Sequence, residues 1–131
     1  MIVADASAVL EMLLRTDTGL RVEERLLRRG ETLHAPALID LEVTQVLRRY
    51  VARAQMTPLR ARAAIDIMVG LPMERYTHEP LLPRIWELRD NLTAYDAAYV
   101  ALAEGLRAPV LTCDERLANA PGIRAVVDVI T

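Results

Sequence analysis

Short runs rich in valine, leucine and isoleucine alternate with stretches of helical periodicity from one end of this 131-residue chain to the other. That alternation marks repeated β–α units, and units of this kind assemble a parallel sheet. Five runs read as strands: 1–4, 33–35, 73–76, 109–112 and 125–130. The third, Met73-Glu74-Arg75-Tyr76, is the weakest, being neither long nor strongly apolar. Helices fill the intervals and carry readable ends. Ser7 starts the first, and Thr16 or Asp17 caps a second that ends near Gly30. Residues 37–53 form a third after Pro36, and Thr57-Pro58 opens a fourth that Gly70 closes. A short helix follows Pro80 and Pro83 and stops around Asn91. The helix from 95 to 107 is apolar nearly all round, so it is expected to be buried against the sheet. No linker, repeat or low-complexity segment interrupts the pattern, and residues 1–131 are expected to form one domain.

The ends of these strands carry acids. Asp5 ends the run Met1-Ile2-Val3-Ala4, and Asp114 follows Pro109-Val-Leu-Thr112 by two residues. Glu42 lies in the helical stretch after Leu33-His34-Ala35-Pro36, and Asp96 opens the most apolar helix. A parallel sheet would gather all four at its carboxyl edge, where open α/β sheets place their ligands. Each acid also has a structural role open to it. Asp5 and Asp114 are placed to cap helices, although Ser7 could cap the first and leave Asp5 free. Asp96 would be stabilised in the first turn of its helix by the macrodipole. Glu42 borders the apolar stripe of Leu38, Ile39 and Val46, but Asp40 borders its other side, so helical position alone does not choose between them. Four such coincidences at one edge of one sheet point instead to a shared site. Clustered carboxylates must either raise a pKa or bind a cation. His34, His78 and Cys113 are scattered without zinc-like spacing, and an all-oxygen site suits Mg²⁺ or Mn²⁺.

Composition narrows the function further. Hydrophobic residues make up 53% and charged residues 26%, the balance of a soluble globular protein. The longest apolar stretch, Ala97 to Ala103, is far shorter than the ~20 residues of a membrane helix. Met1-Ile-Val-Ala runs into Asp5 with no basic lead, unlike a signal peptide, and the single Cys113 allows no internal disulfide. The expected location is the cytoplasm. A net charge of −2 gives the whole molecule no general attraction for nucleic acid. All 16 basic residues are arginine, so every mechanism that requires lysine is excluded. That removes phosphorelay receivers and haloacid-dehalogenase-like phosphatases, which also gather aspartates at strand ends. No Gly-x-Gly-x-x-Gly follows a strand, which removes dinucleotide binding.

Four segments together resemble the PIN-domain family, and most closely its VapC-type toxins from toxin–antitoxin pairs. They are Ile2-Val3-Ala4-Asp5-Ala6-Ser7-Ala8, Ala35-Pro36-Ala37-Leu38 leading to Glu42, Leu92 through Asp96 to Ala103, and Leu111-Thr112-Cys113-Asp114-Glu115-Arg116-Leu117. The third segment is the most specific, and the likeness spans essentially the whole chain. The resemblance implies a three-layer α/β/α sandwich with a parallel five-stranded sheet, and it selects Glu42 over Asp40. It implies a Mg²⁺- or Mn²⁺-dependent endoribonuclease, a homodimer, and a cognate VapB-type antitoxin that blocks the site. On this reading a metal-activated water cleaves the RNA phosphodiester. Asp5 and Asp96 are the first-choice ligands. Asp114 completes the shell directly or through water, and Glu42 ligates or orients the attacking water. Ser7 and Thr112 hold the ligands by hydrogen bonds from behind. The alternative is a PIN scaffold that has lost catalysis and serves as a protein- or RNA-binding module.

Overall fold

The computed structural model describes all of residues 1–131. Five strands form one sheet: β1 (Ile2–Ala4), β2 (Leu33–Pro36), β3 (Met73–Tyr76), β4 (Val110–Thr112) and β5 (Val127–Val129). Their order is β3-β2-β1-β4-β5, and every pair is parallel. The chain therefore starts at the centre, steps outward through β2 and β3, then returns to build β4 and β5 on the other side of β1. This reversal makes the β1/β4 boundary a topological switch point. β1 and β4 run in register with Val3 opposite Val110 and Ala4 opposite Leu111. The Asp5 N–H extends that ladder to the Leu111 carbonyl at 3.0 Å.

Strand formation follows from burial. Ile2, Val3, Val110 and Leu111 are all fully buried, as central strands covered on both faces must be. β3, the weakest run in the sequence, lies at the sheet edge, where only Met73 is buried. The helices are α1 (Ala6–Leu14), α2 (Asp17–Leu26), α3 (Ile39–Ala52), α4 (Pro58–Gly70), α5 (Leu82–Glu87), α6 (Ala94–Leu106) and α7 (Glu115–Ala118). Right-handed crossovers fix where they lie. The outward steps put α1 to α4 on one face, where α1 packs against α2, α3 and α4. The return steps put α5, α6 and α7 on the other, where α5 packs on α6. The result is the expected three-layer sandwich around a parallel sheet. No helix is long and apolar enough to cross a membrane.

Several element ends differ from the sequence expectation for local reasons. α2 stops at Leu26, and Gly30, with φ of 87°, belongs to the turn that follows. α3 starts at Ile39 because the Ala37 N–H is taken by the Tyr76 carbonyl at 2.8 Å, which continues the β2–β3 ladder past Pro36. Thr16, Thr57 and Thr93 cap α2, α4 and α6 through their hydroxyls. α6 is the internal pillar: every residue from Ala97 to Ala103 is buried, and it packs on β1, β2 and β4. α1 and α2 cross so closely at Gly19 that a Cβ there would meet the Glu11 carbonyl oxygen at 1.9 Å.

Candidate active site

Asp5 is the first residue beyond β1 and is only 8% exposed. Its Oδ1 accepts the Ser7 hydroxyl at 2.6 Å and the Ala8 N–H at 3.0 Å. Its Oδ2 accepts the Thr112 hydroxyl from the end of β4. Those hydroxyls are themselves fixed, since Ser7 Oγ accepts the Cys113 N–H and Thr112 Oγ1 accepts the Asp114 N–H, each at 2.9 Å. Two relays thus join the ends of β1 and β4 and converge on one carboxylate. A carboxylate offers about four lone-pair positions; with three donors engaged, Oδ2 keeps room for one more partner. Burial pushes the Asp5 carboxyl above the usual carboxylate range, against its hydrogen bonds from Ser7, Thr112 and Ala8. The charge of Asp96 pushes it the same way as burial.

The expectation that Ser7 caps α1 and leaves Asp5 free is corrected here. Asp5 is the N-cap, extended at φ −87° and ψ 171°, and Ser7 lies inside the helix with its hydroxyl turned back onto Asp5. Capping employs one oxygen of Asp5, and the other faces β4.

Glu42 stands in the first turn of α3 and is half-buried. The Tyr99 hydroxyl donates to its Oε1 at 2.6 Å. Burial raises the Glu42 pKa, the Tyr99 bond opposes that, and the charges of Asp96 and Asp5 add to the rise. Tyr99 is 2% exposed, and burial together with its bond to Glu42 pushes its phenol far above the ordinary value. Asp96 lies three residues earlier on α6, in the first turn that Thr93 caps with a 3.1 Å bond from the Asp96 N–H. Burial and the charge of Asp114 raise the Asp96 pKa, against the Thr93 hydroxyl and the Arg116 charge.

Asp114 caps α7, accepting the Arg116 N–H at 3.0 Å on Oδ1. The Arg116 guanidinium then closes on both its oxygens, Nε to Oδ1 at 3.1 Å and Nη2 to Oδ2 at 2.9 Å. The hydrogen bond from Arg116 holds the Asp114 carboxyl below its usual value. Mutual repulsion links Asp5 with Asp96, Glu42 with both, and Asp96 with Asp114, so the fold gathers all four acids at one edge. As the side chains stand, no three carboxylate, imidazole or thiol groups are close enough to grip one ion. Glu42 is turned onto Tyr99, and Asp114 onto Arg116. In donor type and charge the set suits a hard divalent cation: oxygens only, and three of the four acids carry a pKa raised chiefly by burial.

Other polar candidates are engaged elsewhere. His34 lies between Thr32 Oγ1 at 2.7 Å and the Tyr76 hydroxyl at 2.8 Å, and burial lowers its pKa. His78 Nε2 accepts the Leu38 N–H at 3.0 Å, a bond to the backbone just ahead of α3. Asp40 faces away from the acids and binds Arg75 Nε through both oxygens, at 3.0 and 2.8 Å. Ser7 and Glu42 open into a cleft of about 640 Å³ that also carries Arg49, Tyr50, Tyr95 and Arg116. Sequence reasoning missed Tyr99 and Arg116. Tyr99 belongs to the helix that reads as apolar nearly all round, although a tyrosine three residues after a candidate ligand shares its helix face. Arg116 had no signal beyond its position two residues after Asp114.

Comparison with known proteins identifies the family. The family model for the PIN domain matches residues 2–123. Ribonuclease VapC12 of Mycobacterium tuberculosis is 42% identical over 130 residues, covering 99% of each chain. Ribonuclease VapC1 of the same species is 42% identical over 129 residues, covering 98% of this chain and 96% of the relative. Among solved structures, VapBC2 from Rickettsia felis, bound to a DNA fragment from its promoter, superposes with a TM-score of 0.71 at 13% identity over the full length of both chains. Mycobacterium tuberculosis VapC20, a toxin that cleaves the sarcin-ricin loop, superposes with a TM-score of 0.71 at 14% identity, covering 96% of this chain and 98% of that one. The structural likenesses speak for the fold; the sequence likenesses, end to end, place this chain in the PIN-domain family, among its VapC members.

Proposed function

We propose that this chain is the toxin of a toxin–antitoxin pair, an endoribonuclease that depends on Mg²⁺ or Mn²⁺ and acts in the cytoplasm as a homodimer. The observation that carries the reading is the set of acids converging around Asp5 in a chain 42% identical, end to end, to Ribonuclease VapC12. Residues 1–131 make a single PIN domain on this reading, with the family model spanning residues 2–123. Its protein partner is a VapB-type antitoxin; structural relatives include a toxin–antitoxin complex from Klebsiella pneumoniae, with a TM-score of 0.68.

Asp5 and Asp96 would hold the ion directly, with Asp114 and Glu42 completing its surroundings. When bound, the ion supplies a water of lowered pKa and neutralises charge that builds on the phosphate. The chain's own residues do the rest. Ser7 and Thr112 lock the Asp5 carboxylate, so that Oδ2 presents a preset lone pair. Tyr99 holds Glu42 by Oε1, which leaves Oε2 to orient the attacking water and accept its proton. Burial raises the Glu42 pKa, which makes its carboxylate a better proton acceptor than an exposed one.

The test is direct: purified protein is incubated with RNA in Mg²⁺, in Mn²⁺ and in chelator. Discrete fragments are expected with either metal and none with chelator, and added antitoxin should suppress them. RNA that is retained on the protein but stays intact in both metals would overturn the nuclease reading in favour of a PIN scaffold that only binds.

A further inference from the structure

Arg116 is the one cation that touches the acid cluster. Its guanidinium makes two bonds to Asp114, yet its side chain is 90% exposed and Asp114 only 30%. An exposed ion pair between residues two apart is weak, because water solvates both partners and salt screens them. Removing the guanidinium leaves Asp114 in place, since the Arg116 backbone N–H still bonds its Oδ1 at 3.0 Å. Arg116 also lines the cleft shared by Ser7 and Glu42, where its five donors form a planar fork that matches a phosphate.

We propose that Arg116 and a divalent cation compete for the Asp114 carboxylate, and that the displaced guanidinium grips a phosphate of RNA lying in the cleft. The inference rests on the metal-dependent nuclease reading and adds a residue outside its acids. A cation drawn to Asp114 releases a positively charged, phosphate-binding fork beside the place where the phosphodiester must sit. Arg116 therefore weakens metal binding in the free protein and strengthens the enzyme–RNA complex. Opposite effects of one side chain on two equilibria are its signature.

The experiment measures Mn²⁺ affinity by calorimetry in the absence of RNA, and single-turnover RNA cleavage at saturating Mn²⁺. Arg116→Ala should bind Mn²⁺ about threefold to tenfold more tightly, since one positive charge beside the ion is gone. Its cleavage should fall about tenfold or more, the loss expected for a donor that stabilises a reacting phosphate. Arg116→Lys keeps the charge without the fork, so its Mn²⁺ affinity should stay near wild type while cleavage is restored only in part. Arg49→Ala removes a cleft guanidinium that forms no ion pair, and it should leave Mn²⁺ affinity unchanged. Unchanged or weaker Mn²⁺ binding by Arg116→Ala, full cleavage by it, or an equal tightening in Arg49→Ala would overturn the proposal. Wild-type protein that neither binds Mn²⁺ nor cleaves RNA would instead count against the nuclease reading itself.

Discussion

Tyr99→Phe isolates the device that aims Glu42. The ring is 2% exposed and phenylalanine keeps its packing, so the change reduces to one hydroxyl and its 2.6 Å bond to Glu42 Oε1. A hydrogen bond to a charged group contributes about 1.5–3 kcal/mol when nothing replaces it. Glu42 is half-buried and water can reach part of it, so the lower end applies and the expected loss is about 1–2 kcal/mol. With an unfolding entropy of about 2.1 cal/mol/K per residue, a chain of this length loses about 4 °C in Tm per kcal/mol, or about 4–7 °C here. The chemistry should move as well. Tyr99 is the hydrogen bond that restrains the rise of the Glu42 pKa, so without it the carboxyl is protonated at higher pH. The acid limb of the pH–rate profile should shift upward and kcat should fall while KM changes little. Thermal melts and a pH series of RNA cleavage measure both. If Tyr99→Phe melts within a degree of wild type and keeps its pH profile, the Glu42–Tyr99 bond has no part in the site.

Asp96→Asn separates a ligand from a helix stabiliser. Asparagine is nearly isosteric, so the cost to stability should be the charge–dipole contribution of about 0.3–1 kcal/mol, lessened or reversed by relief of repulsion from Asp114; cleavage should nevertheless fall by orders of magnitude, and near-wild-type cleavage in limiting Mg²⁺ would count against the assignment. The pH dependence of the metal-free fold follows from three raised pKa values. Asp5, Glu42 and Asp96 bind protons more tightly folded than unfolded, so their contribution is full below the ordinary carboxylate range and lost as pH rises through the folded values. Asp114 runs the other way, its contribution present above its ordinary value and lost as pH falls. The Mg²⁺- or Mn²⁺-induced rise in Tm should accordingly be larger at pH 7.5 than at pH 5, and a flat response would refute the coupling. Gly19→Ala should cost about 2–3 kcal/mol, because its methyl group meets the backbone of α1 instead of a flexible side chain; chemical denaturation reads this directly.

What was readable in the chain differs by the range of the forces involved. The central strands are legible because Ile2, Val3, Val110 and Leu111 must be buried on both faces, and that requirement is written locally. Helix starts at Thr16 and Thr57 are legible for the same reason, since a cap needs only its own turn. The start of α3 was not, because it depends on Ala37 bonding to Tyr76, a residue far along the chain. The same holds at the site. Acids at strand ends can be placed by topology, whereas the pairing of Glu42 with Tyr99 and of Asp40 with Arg75 depends on contacts between elements. Asp40 lies two residues before Glu42 at the opposite border of the same apolar stripe, and what marks it out is its pairing with the Arg75 side chain on β3. Asp5 shows a further limit: cap and candidate ligand looked like rival roles, yet the cap occupies only Oδ1 and leaves Oδ2 facing β4.

The central claim is that these carboxylates hold one catalytic ion. Crystals soaked in millimolar Mn²⁺ and measured at an anomalous wavelength locate that ion without reference to activity. The account predicts a peak bonded to Asp5 Oδ2 and to Asp96, at about 2.0–2.2 Å as for hard octahedral cations, with Asp114 released from Arg116 and turned toward the ion. A peak bound elsewhere, or none while Asp5 and Asp96 are well ordered, would contradict it.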